Sequence, residues 1–514
     1  MLEPVDAASD HPDAASVKRT PSARWALASL SLSMLLASLG TSIANVALPT
    51  LAQAFAASFQ QVQWIVLAYL LAITIAIVSV GRLGDLIGRR ALLLVGIVLF
   101  TFASILCGVA PTLRVLIAAR IAQGLGAAIM MALAMAVVAE AVPKDKTGSA
   151  MGLLGTMSAT GTALGPSLGG VLIGGLGWRA IFFIQVPLGL LAWLLAYRYL
   201  PVDRRPAKTG ARFDPLGTLL LALTLAAYAL AMTLGHGSFD RRNVTLLSTA
   251  VLGVGLFAFV EARAASPLIR LAMFRNPVLS AGFATSALVM TVMMATFVVG
   301  PFYLSGALAL DATRVGLVMS CGPIVAALAG VPAGRIVDRL GTHAMTLAGL
   351  TGMVAGASML RLLPIRFGVP GYVGPLIVIT AGYALFQAAN NTAVMTDVRQ
   401  DQRGVVSGML NLARNLGLIT GASVMGAVFA VGAAASDIAA APPDAIAAGM
   451  RMTLAVAVVL VLVALAIAQA SRVLARRGVP GSVVPAGARA HASPPHSPAR
   501  VSAPGPTHCP SSRR

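Results

Sequence analysis

Arg120 lies inside an apolar run that extends from about residue 113 to 141. An arginine near the centre of a membrane span costs about 2.5–3.5 kcal/mol on insertion scales, so it turns toward the protein interior or a wet cavity. It keeps its proton at any working pH. Its chemistry is therefore electrostatic: it lowers the pKa of a carboxylate, organises water, or bonds backbone carbonyls as a structural cation. Other polar groups embedded in apolar sequence are Asn45, Gln123, Gln387, Asn390, Asn391, Asn411 and Arg414, with Asn415 beside the last. Together they can supply hydrogen bonds around a central cavity; singly, each is a helix–helix bond worth about 0.6 kcal/mol. Tyr69, Phe297, Phe302, Tyr303, Tyr383 and Phe386 are candidate aromatic lining, with core or lipid-facing packing as the alternative.

These residues bind rather than break bonds. The six histidines fall in tails or at segment ends, and Cys107, Cys321 and Cys509 are far apart. The chain thus offers no metal site, no cofactor motif, no buried acid–base histidine and no disulfide framework. A polytopic enzyme would need clustered His, Asp or Ser chemistry at a membrane face, and a primary pump a G-x-x-x-x-G-K-[ST] loop; neither is present. The reading is of a protein that is not an enzyme, leaving a non-transporting sensor as a remote alternative.

A second constellation is repeated. Gly81-Arg82-Leu83-Gly84-Asp85-Leu86-Ile87-Gly88-Arg89-Arg90 recurs degenerately as Gly334-Arg335-Ile336-Val337-Asp338-Arg339-Leu340-Gly341. Gly81 and Gly88 are expected to form a tight turn where helices end. Asp85 can face a helix N-terminus, while Arg89 and Arg90 can hold a helix C-terminus or anionic lipid. Each contact is worth about 0.3–1 kcal/mol, enough to bias a conformational equilibrium without locking it. Gly334, Asp338 and Gly341 repeat the device at the spacing of Gly81, Asp85 and Gly88. Gly148, Gly152, Gly161 and Gly165 match Gly404, Gly408, Gly417 and Gly421 at nearly the same offset. Two independent matches describe two related halves, the architecture of a machine that rocks one half against the other.

The elements that must hold these residues are membrane helices. Of 514 residues, 58% are hydrophobic and 11% charged, against about 25% charged in a soluble domain. The net charge of +20 falls in short loops between apolar runs, a pattern of membrane orientation rather than nucleic-acid binding. Fourteen spans are expected, near 25–48, 62–80, 91–110, 113–141, 149–175, 180–197, 215–234, 244–260, 278–304, 313–333, 343–363, 372–396, 404–431 and 450–471. They divide into a six-helix bundle (24–200), a linker with two inserted helices (201–277) and a second six-helix bundle (278–472), an all-α polytopic class. Residues 1–23 and 473–514 are expected to be disordered tails. The Lys and Arg bias places both termini in the cytoplasm.

Several strings resemble the major facilitator superfamily, in its fourteen-helix drug:proton antiporter branch. They are the Gly81–Arg90 hinge; Asn45-Val46-Ala47-Leu48-Pro49; Leu116 through Ala128, with Arg120 at the basic position; Gly161-Thr162-Ala163-Leu164-Gly165-Pro166-Ser167-Leu168-Gly169-Gly170; and Trp178-Arg179-Ala180-Ile181-Phe182-Phe183-Ile184-Gln185-Val186-Pro187. The resemblance spans about residues 25 to 470. It implies proton-driven export of drugs or other small amphipathic molecules across the inner membrane. It also implies proton handling at Arg120 and a helix seam at Gly161, Gly165, Pro166, Gly169 and Gly170. In the seam, small residues permit close approach and Pro166 bends the helix. The partners implied are a small-molecule substrate, protons and lipid; periplasmic adaptor proteins and a specific metabolite as substrate stay open.

One position departs from the family. Its first span usually carries an Asp five residues before the Asn; here that residue is Gly40. Asp85, Asp338, Asp397, Glu140, Asp214, Glu261 and Asp311 all lie at span ends or in loops. Glu140 and Asp85 are then the acids left to titrate. A cavity without central carboxylates is expected to favour neutral, zwitterionic, weakly basic or anionic substrates over dications.

Overall fold

The computed structural model describes residues 21–141, 147–200, 215–234, 241–263, 276–396, 398, 403–434, 438 and 441–477. All regular structure among them is helical. A backbone in lipid must bond to itself, and long apolar runs do so as helices. The helices are α1 (Pro21–Ala54), α2 (Phe59–Ile87), α3 (Arg89–Val109), α4 (Leu113–Ala141), α5 (Thr147–Leu176), the single turn α6 (Ala180–Phe183) and α7 (Gln185–Tyr199). Then come α8 (Pro215–Leu234) and α9 (Arg241–Arg263). The second set is α10 (Pro277–Phe302), α11 (Ala312–Leu340), α12 (Thr342–Leu362), α13 (Gly368–Thr396), α14 (Arg403–Thr420), α15 (Gly426–Ala433) and α16 (Pro443–Arg477). Among the described residues, 12 segments are long and apolar enough to cross a membrane. Glycine-rich α5 and the shorter apolar Leu216–Ala231 of α8 lie outside that set. This is an all-α, multi-pass membrane protein.

Local chemistry sets the ends. Ser58 and Gln61 cap α2 reciprocally: Gln61 N donates to Ser58 Oγ at 3.3 Å, and Ser58 N donates to Gln61 Oε1 at 2.9 Å. Asn276 Oδ1 accepts from Val278 N and Asp311 Oδ1 from Arg314 N, both at 2.9 Å, starting α10 and α11. Pro301 precedes a π-helical turn, Tyr303–Ala307, and a second π turn, Gly421–Met425, joins α14 to α15. Such turns loosen a helix without ending it.

The second set repeats the packing of the first. α1 packs on α5 and α7, and α10 on α14 and α16. α4 packs on α2 and α3, and α13 on α11 and α12; α3 meets α7 as α12 meets α16. α1 and α10 are the central helices, with 72% and 78% of their apolar windows buried against 17% in α9. α8 and α9 pair at the rim. There Ser79 and Thr218 share a hydroxyl contact at 2.8 Å, and Tyr228 Oη donates to Thr420 Oγ1 at 3.1 Å. Through α8 this pair touches α2 of the first set and α14 of the second.

Two boundaries differ from expectation. The repeated charged string is not a ten-residue turn: α2 runs to Ile87 and α11 to Leu340, leaving Gly88 and Gly341 as the whole break. Arg, Leu and Asp tolerate the helix, so its ladder continues until a glycine releases it. Gly81 and Gly334 therefore lie within helices. The terminal segments shorten too, because α1 starts at Pro21 and α16 reaches Arg477. The rest of the expected tails lies outside the described residues.

Candidate functional site

A cavity of about 260 Å³ lies midway along the helices between the two sets. The first set contributes Ser38, Thr41, Ser42 and Asn45 from α1, Leu70 and Ile73 from α2, Met131 from α4 and Thr162 from α5. The second contributes Met290, Met293, Met294, Thr296 and Phe297 from α10, Met319, Gly322, Pro323 and Ala326 from α11, Tyr372, Leu376, Thr380 and Tyr383 from α13, and Asn415 and Leu418 from α14. Among the described residues no carboxylate and no Lys or Arg lines it. Methionine fills irregular apolar space and adapts to differing ligands. Hydroxyl and amide groups among these thioethers and rings provide orientation without fixed charge.

Arg120 stands outside this lining, in a fully buried polar cluster of the first set. Its Nε donates to Ile65 O at 2.9 Å and its Nη1 to Gln123 Oε1 at 2.6 Å. The guanidinium lies 4.0 Å from the centre of the Tyr69 ring. Gln123 Nε2 donates to Ser104 Oγ at 2.8 Å and to Gln185 Oε1 at 3.3 Å, and Gln185 Nε2 donates to Ile181 O at 2.9 Å. Tyr69 Oη donates to Ala37 O at 2.7 Å. The cluster therefore ties α1, α2, α3, α4 and α7 together. Among the described residues no carboxylate touches Arg120. Gly40 sits at its edge: a Cβ there would lie 2.9 Å from Tyr69 Oη and 3.4 Å from Gln185 Oε1. A buried cation needs hydrogen-bond partners; here backbone and amide serve Nε and Nη1 and the Tyr69 ring faces the guanidinium, while Nη2 has no hydrogen-bond partner among the described residues.

The two repeated turns share one geometry. Gly88 has φ 109° and Gly341 φ 86°, which side chains rarely adopt. Gly88 N donates to Gly84 O and Gly341 N to Val337 O, each at 2.9 Å. Arg90 Nη2 donates to Tyr197 O at 2.5 Å, holding the C-terminal turn of α7, where a cation is favoured. Arg89 is half-buried and Asp338 exposed. The side chains of Asp85 and Glu140 lie outside the described residues.

The small-residue face of α5 serves two partners. Positions 161, 165 and 169 face α1: a Cβ on Gly161 would meet the Leu35 carbonyl, one on Gly165 would meet Ser42 Oγ, and one on Gly169 would come within 2.7 Å of Val46. Pro166 and the stretch from Gly170 approach the other set closely. A Cβ on Gly170 would lie 2.7 Å from Ala312 O and 2.8 Å from Gly316 Cα, and one on Gly316 would meet Pro166 O. Thr313 Oγ1 donates to Gly170 O at 3.4 Å. This contact lies toward the end of the bundle away from Gly88 and Gly341. At that same end Phe59 of α2 meets Phe302 of α10 with ring centres 4.7 Å apart, and Phe429 of α15 at 5.4 Å. Among the described residues these are the aromatic contacts that cross between the sets.

Of the polar positions singled out in the sequence, Asn45 and Asn415 line the cavity, as do the aromatics Phe297 and Tyr383. Tyr69 and Gln123 belong to the Arg120 cluster. Asn390 Nδ2 donates to Ser286 Oγ at 2.8 Å and Gly282 O at 3.2 Å, a bond between α13 and α10. Arg414 Nη2 donates to Asn391 Oδ1, joining α14 to α13. Tyr303 stacks on Tyr372 at 5.9 Å behind the cavity wall. Gln387 is half-buried and Asn411 exposed; neither lines the cavity. The hydroxyls of Thr41 and Thr380 and the methionine wall escaped sequence reasoning. Threonine and methionine are common in any apolar helix, and only the tertiary fold gathers them.

Comparison with known proteins agrees with this architecture. Residues 30–422 match the family model of the Major Facilitator Superfamily. The chain is 33% identical over 391 residues to the "Multidrug resistance protein Stp" of Mycobacterium tuberculosis, covering 76% of this chain and 72% of that one. It is 29% identical over 435 residues to the "Tetracenomycin C resistance and export protein" of Streptomyces glaucescens, covering 82% and 79%. Among solved structures, a bacterial homolog of the human lysosomal transporter Spinster in an inward-facing, unoccupied conformation superposes with a TM-score of 0.67 at 16% identity, covering 89% of this chain and 99% of that one. A central cavity between two repeated helix sets, repeated glycine turns and these matches together place the chain in the major facilitator superfamily of membrane transporters.

Proposed function

We propose that this transporter exports drugs or other small amphipathic molecules across the cytoplasmic membrane by alternating access, with both termini in the cytoplasm. The observation that carries the reading is the cavity between two helix sets that repeat each other's packing, with no charged side chain among the described residues that line it. Rocking of such sets about a fixed mid-span site opens it to one side at a time. The Phe59, Phe302 and Phe429 contacts and the Gly170–Gly316 approach close the end away from the glycine turns. With cytoplasmic termini that end is the outer one, and Gly88 and Gly341 are the inner hinges. The export direction rests on the relatives' names, multidrug resistance and tetracenomycin export.

Exchange against protons is part of the proposal. Its supports are the resemblance of the Arg120 and Gly161–Gly170 strings to the antiporter branch. Glu140, on the same helix as Arg120, is the acid assigned to titrate. Lipid meets the protein along α9, whose apolar side chains are widely exposed. The test is expression in an efflux-deficient host, a broad toxicity panel, and uptake of any hit into everted vesicles. Protection that vanishes in the deletion, and uptake that collapses with the proton gradient, is the expected result. Uptake undiminished without the gradient removes the proton assignment and leaves the exporter.

A further inference from the structure

Two polar atoms at the cavity have been left without a protein partner. Asn45 Oδ1 on α1 and Thr380 Oγ1 on α13 are buried and accept or donate no hydrogen bond within the protein. Both residues line the cavity, and they are 2% and 1% exposed. Most buried hydroxyls in this fold behave differently. Thr74, Thr101, Ser104, Thr291 and Ser423 each donate to the carbonyl four residues back, at 2.7–2.9 Å. Thr380 has the same option toward Leu376 and does not take it. Asn45 uses its Nδ2 on Thr41 O at 3.3 Å, which leaves Oδ1 as an acceptor. Buried polar atoms are normally satisfied, and an exception asks for an explanation.

We propose that Asn45 and Thr380 form a two-point clamp that selects the substrate, building on the reading of this cavity as the transport site. Asn45 Oδ1 takes an N–H or O–H from the ligand. Thr380 Oγ1 donates to a ligand carbonyl or accepts from a ligand hydroxyl. Between them the body of the ligand is apolar or aromatic, rests on Met290, Met293, Phe297 and Tyr383, and carries no net charge, since no charged side chain is among the described residues that line the space. A ligand held at both points also draws the two sets together around itself. Rejection of analogues lacking the hydroxyl or amide follows, because the pair would then be buried unbonded.

The experiment uses purified full-length protein with Asn45→Leu, Thr380→Val and Thr380→Ser. One probe is chloramphenicol, a neutral aromatic with two hydroxyls and an amide. The other is tetraphenylphosphonium, an aromatic monocation with no hydrogen-bonding group. Thermal melting is expected at or above the wild-type value for Thr380→Val, because no protein partner is lost. Saturable chloramphenicol binding is expected to weaken about tenfold in Asn45→Leu and Thr380→Val and to persist in Thr380→Ser. Any tetraphenylphosphonium binding should not change. A melting point several degrees lower in Thr380→Val shows a structural hydroxyl and overturns the clamp. So does chloramphenicol binding that is equal in all variants or lacking in the wild type. Efflux that continues unchanged in both variants defeats the clamp alone; a wild type that transports nothing in the toxicity panel defeats the exporter reading itself.

Discussion

Phe59 stands edge-on to Phe302, ring centres 4.7 Å apart with planes at 83°, and the two come from opposite helix sets. An edge-to-face pair of this kind is worth about 0.5–1.5 kcal/mol. It is strong enough to favour closure of that end and weak enough to yield when substrate binding pulls the other way. Phe59→Ala is expected to shift the equilibrium toward opening there by roughly 2- to 13-fold, the factor that energy corresponds to. A cysteine introduced at Thr296, on the cavity wall, reads this out. Its labelling by an impermeant maleimide from the far side should rise several-fold in a background without Cys107, Cys321 and Cys509. Unchanged labelling would mean the rings are packing, not a gate.

Gly170 and Gly316 carry the other contact at that end, and it is backbone on backbone. A side chain at either place must push the helices apart, at about 1–3 kcal/mol for overpacking. Gly316→Leu is expected to abolish transport while the protein still elutes as folded material. Gly155 is the control: a Cβ there meets nothing within 4 Å. Gly155→Ala should transport normally and gain about 0.5–1 kcal/mol of helix stability. Equal effects of the two substitutions would remove the seam.

Gly88 and Gly341 hold positive φ in corresponding turns, with identical 2.9 Å caps. Both glycines combine positive φ with an extended ψ (130° and 151°), outside the left-handed helical region, where an alanine costs about 1–3 kcal/mol. Gly88→Ala and Gly341→Ala are expected to lower the thermal midpoint by similar amounts and to slow transport without changing substrate affinity. A pure loss of affinity in either would argue that the turns act on the site rather than on the motion.

These cases show what was legible beforehand. Lipid forces long apolar runs into helices, so the existence and order of the spans are legible, while α1, α2, α11 and α16 overrun their expected ends by up to about seven residues. The repeated string was legible as a pair, yet its extent was not: Arg82, Leu83 and Leu86 carry on the helix, and one glycine makes the break. Arg120 announced itself because charge is rare in a span. Its surroundings, Ser104, Gln185 and the Ile65 carbonyl, arrive from three other helices and leave no mark near Arg120 in the sequence. Tyr69 and Gln123 looked like cavity lining because polarity can be read from sequence and direction cannot. Thr380 shows the converse, a residue of no sequence distinction that the fold brings to the cavity wall.

The absence of an acid at position 40 bears on substrate charge. Gly40 lies against Tyr69 Oη and Gln185 Oε1, at the edge of the cluster that already accommodates the Arg120 cation without a carboxylate. With no anion there or in the cavity, a ligand dication would enter low-dielectric space unpaired, a cost of several kcal/mol. Wild-type protein is therefore expected to protect cells poorly against a bis-quaternary compound. Gly40→Asp places a carboxylate within the cluster and displaces the Tyr69 hydroxyl, so a modest fall in thermal midpoint should accompany it. If the missing acid sets the charge preference, the variant extends protection to monocations first and loses affinity for anions. Robust resistance to the dication in the wild type would show that charge is compensated elsewhere, and Glu140 and Asp85 would then be the first residues to replace.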